Sequence, residues 1–219
     1  MMRKLCVFTL VGLSLLANAQ IGMNPQDTMQ RMMTSTGRLM GQNDFKKELK
    51  LSGDQNKKVS DLAKNHEKKS QELMKKVQGG GTDMAAMTSF MTEMETLETE
   101  TDKAIQAELT PDQARRLAQI KWQIVGVKAI YDPVLQKELV LTDEQVAKLA
   151  EWKKGENSRL LGLMEANGNP NKIKAARNKM KADDESNTIG ILLPEQVTKY
   201  KAALGPECKA AKKMSELLF

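Results

Sequence analysis

Few side chains in this sequence are equipped for chemistry, and they stand far apart. There is one histidine, His66, and there are two cysteines, Cys6 and Cys208. A histidine beside a nucleophile would act as a general base, and one among further ligands would hold a metal. His66 has neither nearby; it lies four residues after Leu62, on or beside the apolar stripe of a helix, where a packed or half-exposed imidazole is the ordinary outcome. Gly79-Gly80-Gly81 is not a phosphate loop, because no lysine follows it and no strand precedes it. The acidic run Glu93, Glu95, Glu98, Glu100 and Asp102 has the chemistry of a cation site, but a charged face of an exposed helix accounts for it more simply. No catalytic constellation emerges, so the sequence reads as a non-enzyme with no cofactor and no metal.

Methionine is the remaining distinctive type, with 15 copies. Met84, Met87, Met91 and Met94 recur at intervals of three, four and three residues, which places them on one helix stripe with Phe90 and Leu97 beside it. Three readings fit. The stripe is core packing. Alternatively Met84, Met87, Phe90, Met91 and Met94 form an adaptable apolar surface for a protein client, since methionine is flexible and polarisable. The third is soft-metal binding by thioethers. Met23, Met29, Met32, Met33 and Met40 lend it some support, but no histidine or cysteine stands near them.

The elements that must position these residues announce themselves through four related strings. They are Leu51-Ser52-Gly53-Asp54-Gln55, Leu109-Thr110-Pro111-Asp112-Gln113, Leu141-Thr142-Asp143-Glu144-Gln145 and Leu192-Leu193-Pro194-Glu195-Gln196. Each has the form of a helix start. Ser or Thr at the N-cap accepts a first-turn N–H, and Gln three residues on reaches back to the N-cap N–H. The leading Leu acts as a staple, Pro111 and Pro194 occupy the first helical position, and acids in that turn face the positive end of the macrodipole. The fourth string departs from the rule, because Leu193 at the N-cap has nothing to accept with.

The strings are also spaced as a duplication. Lys47, Glu48, Leu49, Leu51, Gln55 and Lys58 recur at an offset of 90 residues, and Gln113 recurs at Gln196, an offset of 83. The seven-residue difference is about two helical turns, which nearly preserves a helix face. Each copy predicts three helices. In the first they span Ser52 to Gln78, Asp83 to Glu108, and Pro111 to about Tyr131; in the second they begin near Asp143, Pro170 and Pro194. The expectation is an all-α fold of elongated helical hairpins in two tandem units, residues 43–131 and 132–219.

Residues 1–19 read as a signal peptide. Arg3 and Lys4 precede an apolar run from Leu5 to Leu16, and Ala17-Asn18-Ala19 is a small-residue cleavage site. That run is too short to span a bilayer, which needs about 20 apolar residues, and no later one qualifies, so stable membrane insertion is not expected. Cys6 lacks a small-residue lipobox before it. Cys208, alone in the mature chain, has no intrachain partner and reads as an idle or buried thiol. Residues 20–42 lack sustained periodicity and read as a flexible segment, although Met29 to Met40 suits a short helix. The net charge of +6, two units of it from Arg3 and Lys4, comes from interleaved rather than blocked residues. Export and the lack of a basic block with aromatics argue against nucleic acid.

Phe45-Lys46-Lys47-Glu48-Leu49-Lys50-Leu51-Ser52-Gly53-Asp54-Gln55, followed by a basic amphipathic helix and by the string at Leu109 to Gln113, resembles the Spy/CpxP family of periplasmic proteins. That family is marked by paired LTxxQ motifs on a small all-α fold. The strings at Leu141 and Leu192 resemble a second pair, and the likeness covers residues 43 to 215. The resemblance implies a periplasmic, ATP-independent chaperone that holds unfolded clients on a concave apolar and basic surface. Its alternatives are a stress- or metal-sensing regulator of a sensor kinase and a structural helical envelope protein. It also implies a thin cradle, formed by a monomeric pseudo-dimer of the two units or by a homodimer. On this reading Lys57, Lys58, Lys64, Lys68, Lys69, Lys75 and Lys76 steer acidic clients, unless they simply solvate their helix.

Overall fold

The computed structural model describes residues 31–79, 84–156, 159 and 170–218. The expected signal peptide and the glycine triplet's last two residues lie outside them. Every regular element among the described residues is helical, so the fold is all-α. No helix among them is long and apolar enough to cross a membrane. The chain divides into two compact units after Ala114.

In the first unit, α1 (Thr36–Met40) and α2 (Asn43–Glu48) precede the long α3 (Gly53–Gly79) and α4 (Met84–Gln106). The two long helices run antiparallel. Successive contacts pair Lys58 with Glu108, His66 with Glu98 and Lys76 with Glu93, rising along one helix while falling along the other. Their apolar stripes face each other: Val59, Ala63 and Leu73 on α3, and Phe90, Met94, Leu97 and Ile105 on α4, are all buried.

The short α1 packs against both long helices, and this corrects the expectation of a flexible segment over residues 20–42 as far as its described part is concerned. Leu39 and Met40 are fully buried, the Ser35 hydroxyl caps the helix by accepting from Arg38 N–H at 3.3 Å, and the Thr36 hydroxyl donates to the Asp102 carboxylate. Gly37 permits the close approach. A Cβ there would lie 2.4 Å from Cγ and 2.7 Å from Nδ1 of His66. The ring cannot yield easily, since His66 is buried with Nε2 held 3.1 Å from Glu98 Oε1. Gly37→Ala is therefore expected to destabilise the protein by about 2 kcal/mol through overpacking. Thermal unfolding would show a lowered midpoint, and the same change in a His66→Ala background should cost far less.

The helix α5 (Pro111–Val125) carries the division between units near its start. Its later residues Trp122 and Val125 join a core with Ala129, Ile130, Leu135, Leu139, Leu149, Leu192, Tyr200 and Ala203. That shared burial is why the second unit begins at residue 115, where the sequence suggested 132. A 3-10 helix (Gly126–Tyr131) follows, then α6 (Pro133–Leu139), α7 (Asp143–Lys154), α8 (Pro170–Ile189), α9 (Pro194–Ala203) and α10 (Lys209–Leu218). Tyr200 donates its hydroxyl proton to Gly126 O at 3.1 Å, and burial pushes its phenol up to about 12. Cys208 is a free buried thiol whose backbone N–H donates to Gln123 Oε1.

The internal likeness extends further toward the N-terminus than residue 43. The 3-10 helix packs against α8 as α1 packs against α4. The short helices α2 and α6 are each followed by a left-handed residue at the same repeat position, Lys50 at φ 50° or Val140 at φ 53°.

Candidate functional site

The four LTxxQ strings are the most distinctive local chemistry in the chain. Ser52, Thr110 and Thr142 each accept from the N–H of the glutamine three residues on, at 3.2, 3.3 and 3.2 Å. Gln55, Gln113 and Gln145 return the bond, each Oε1 accepting from the N-cap N–H at 3.0, 2.9 and 3.0 Å. These are complete capping boxes. At the fourth string Leu193 offers no side-chain acceptor, and only half the box remains, with Gln196 Oε1 accepting from Leu193 N–H at 2.9 Å. Two motif leucines join the second unit's core: Leu192 is buried in it and Leu141 packs on it.

Each glutamine has a second use that helix-cap reasoning did not anticipate. Gln55 and Gln113 pair side chain to side chain, each amide donating to the other's oxygen, at 2.8 and 3.1 Å. Gln55 Nε2 also donates to Glu108 O at 2.7 Å, and Gln113 Nε2 reaches Lys50 O at 3.4 Å. Gln145 and Gln196 form the same pair at 2.6 and 3.0 Å, with further donation to Ile191 O from the first, and to Leu139 O and Val140 O from the second. Each amide oxygen thus receives two donors and each amide nitrogen gives to the partner glutamine and to a backbone carbonyl. The two pairs clasp the starts of α3 and α5, and of α7 and α9. A signal for this was present in the sequence. A capping box accepts Glu as readily as Gln, and Glu suits a helix N-terminus better, yet all four strings carry the amide, the only one of the two that both donates and accepts.

Part of the methionine stripe lies in the hairpin core, the first of the readings its spacing allowed. Phe90 and Met94 are buried together with Leu73 and Leu97, and Met87 and Met91 are partly buried against that cluster, along with Met32, Met74 and Val77. The side chain of Met84 lies outside the described ones. Two long amphipathic helices with facing stripes satisfy each other, which leaves Phe90 and Met94 closed to a client.

The remaining candidates are equally occupied. His66 is packed under Gly37. The acidic run on α4 is engaged by neighbours: Glu93 by Lys76, Glu95 by Arg31, Glu98 by His66 and Asp102 by Thr36. Hydrogen bonding from Lys76 holds the Glu93 carboxyl below its ordinary range. Among the α3 lysines, Lys58, Lys64 and Lys76 are in exposed ion pairs. Among the described residues no three His, Cys, Asp or Glu side chains gather as a metal site would require.

The second unit holds a polar cluster that the sequence did not suggest. Lys128 and Glu156 form a buried ion pair. Nearby in sequence, Arg159 Nη2 and Trp152 Nε1 both donate to Asp184 Oδ1 at 3.2 Å, and the Arg159 guanidinium stacks 4.0 Å from the Trp152 ring centroid. Glu156 stands 90 residues after His66, so the two units fill one repeat position with different buried titratable groups.

Two large apolar side chains stand exposed at the second clasp, and a third, Val134, at the start of α6. Val140 is 67 % exposed, Leu193 52 % and Val134 60 %. Comparison with protein families, with curated proteins and with solved structures finds no match.

Proposed function

We propose that this chain is an exported, ATP-independent holdase, which keeps unfolded or aggregation-prone proteins soluble in the periplasm under envelope stress. The observation that carries the reading is the pairing of the four LTxxQ strings. They close two by two through glutamine clasps, which suits a chain resembling a family marked by paired motifs. Open apolar side chains beside one clasp add a means of contacting clients without a chemical cycle. Weak apolar contact suits a compartment without ATP, since holding and release then rest on binding equilibria alone. The test is light scattering from a chemically denatured client diluted into buffer without nucleotide. Suppression of aggregation at near-stoichiometric ratios is expected. Unchanged scattering at several-fold excess, with several different clients, would refute the reading.

A further inference from the structure

The two units differ at one place in a way that costs the second unit stability. Val140 adopts the left-handed conformation at φ 53°, which suits glycine or asparagine and disfavours a β-branched side chain. Leu193 occupies an N-cap position where it cannot accept the first-turn N–H. The corresponding residues of the first unit are Lys50 and Thr110, both exposed, and Thr110 completes its box. Val134, also exposed, corresponds to Asp44. The same fold therefore accepts polar residues at all three positions, and the second unit presents valine, leucine and valine to solvent instead. Val140 and Leu193 lie side by side, because the amide of Gln196 bonds the carbonyl of one at 3.3 Å and the N–H of the other at 2.9 Å.

From this we infer that the clasp end of the second unit, centred on Val140 and Leu193, is the client contact, and that its occupant is a short, extended apolar stretch of an unfolded chain flanked by basic residues. The inference rests on the holdase reading. Size argues against a second copy of this chain: Val140 and Leu193 together offer at most on the order of a few hundred Å², against about 800 Å² per partner in a stable interface. Charge selects the flanks. Asp143 and Glu195 follow the patch in the first turns of α7 and α9, and neither is neutralised by a described partner, whereas Glu138 is paired with Arg115 and Glu144 with Lys148. Lys137 is the one cation in the adjoining stretch 133–144. The two units are thus specialised, with the apolar contact surface built on only one of them.

The duplication supplies the variant for the test. Val140→Lys combined with Leu193→Thr installs residues that the first unit already carries in the same backbone. The unfolding midpoint should therefore rise or hold, and any lost binding cannot be blamed on unfolding. Fluorescence anisotropy would follow two labelled apolar peptides of the same core, one with lysines at both ends and one with glutamates. The unaltered protein should bind the lysine-flanked peptide about tenfold more tightly, and the double variant should weaken that binding about tenfold. Equal affinity of the variant and the unaltered protein would overturn the assignment. So would a dimer of the unaltered protein in sedimentation that the double variant abolishes. The aggregation assay keeps the failures separate. A variant that binds the peptide unchanged, in a protein that suppresses aggregation, removes this surface and leaves the holdase; a protein that suppresses nothing removes the holdase itself.

Discussion

Gln145→Leu is expected to destabilise the protein by about 3 kcal/mol, several times the usual worth of one hydrogen bond. The reason is the number of groups that one amide satisfies. Its oxygen accepts from Thr142 N–H and from Gln196 Nε2, and its nitrogen donates to Ile191 O and Gln196 Oε1. Leucine would leave all of these without that partner, and a buried polar group stripped of its partner costs about 1 to 3 kcal/mol. Both glutamines are at least nine-tenths buried, so water cannot readily substitute. Gln196→Leu should cost a similar amount. The pair Gln145→Leu with Gln196→Leu should cost clearly less than the sum, because each single change already breaks the shared bonds. Gln55 and Gln113 are only half-buried, so Gln55→Leu should cost about 1 kcal/mol. Urea unfolding of the singles and the double measures this. Additive effects, or an equal cost at both clasps, would show that the glutamines act as separate helix caps and nothing more.

What was legible in the sequence was local. The capping boxes are bonds between residues three apart, so residue type and spacing suffice to read them. The clasp joins residues 58 apart in one unit and 51 in the other, and no periodicity reports such a contact. Likewise the methionine spacing defined a stripe on α4 but not what covers it. Leu73, Met74 and Val77 of α3 do so, and they look like any other apolar positions until the hairpin closes. The five residues of α1 are too few to show a period, and the purpose of Gly37 appears only once the His66 ring is in place. Lys50 and Val140 hide the left-handed turn because neither is the glycine that usually marks it. The exposure of Val140 and Leu193 was hidden for a similar reason. Valine and leucine beside a helix start look like staple residues, and only burial distinguishes a staple from a surface.

Lys128→Met is expected to cost about 3 to 5 kcal/mol, the penalty for breaking a buried ion pair from one side. Lys128 comes from the 3-10 helix and Glu156 from the helical residue that follows the turn at Gly155, and both side chains are less than one-tenth exposed. Removing the ammonium leaves the carboxylate in an environment that has displaced most of its water without its principal counter-charge. Glu156→Leu should cost a comparable amount by removing the carboxylate that Lys128 faces. The double change, Lys128→Met with Glu156→Leu, tests the physics of the pair rather than its presence. Desolvating two ions offsets most of their mutual attraction, so a well-packed apolar replacement is expected to recover nearly all of the loss, read as the return of the denaturant midpoint. A double variant as unstable as the singles combined would mean that the two groups are not coupled and that each contributes through other contacts. The first unit provides the physical precedent for replacement, since the repeat position of Glu156 there holds His66, a group of different charge and shape, in the same all-helical framework. Recovery in the double variant would therefore place the ion pair among the exchangeable fillings of this fold, unlike the glutamine clasps, which both units keep.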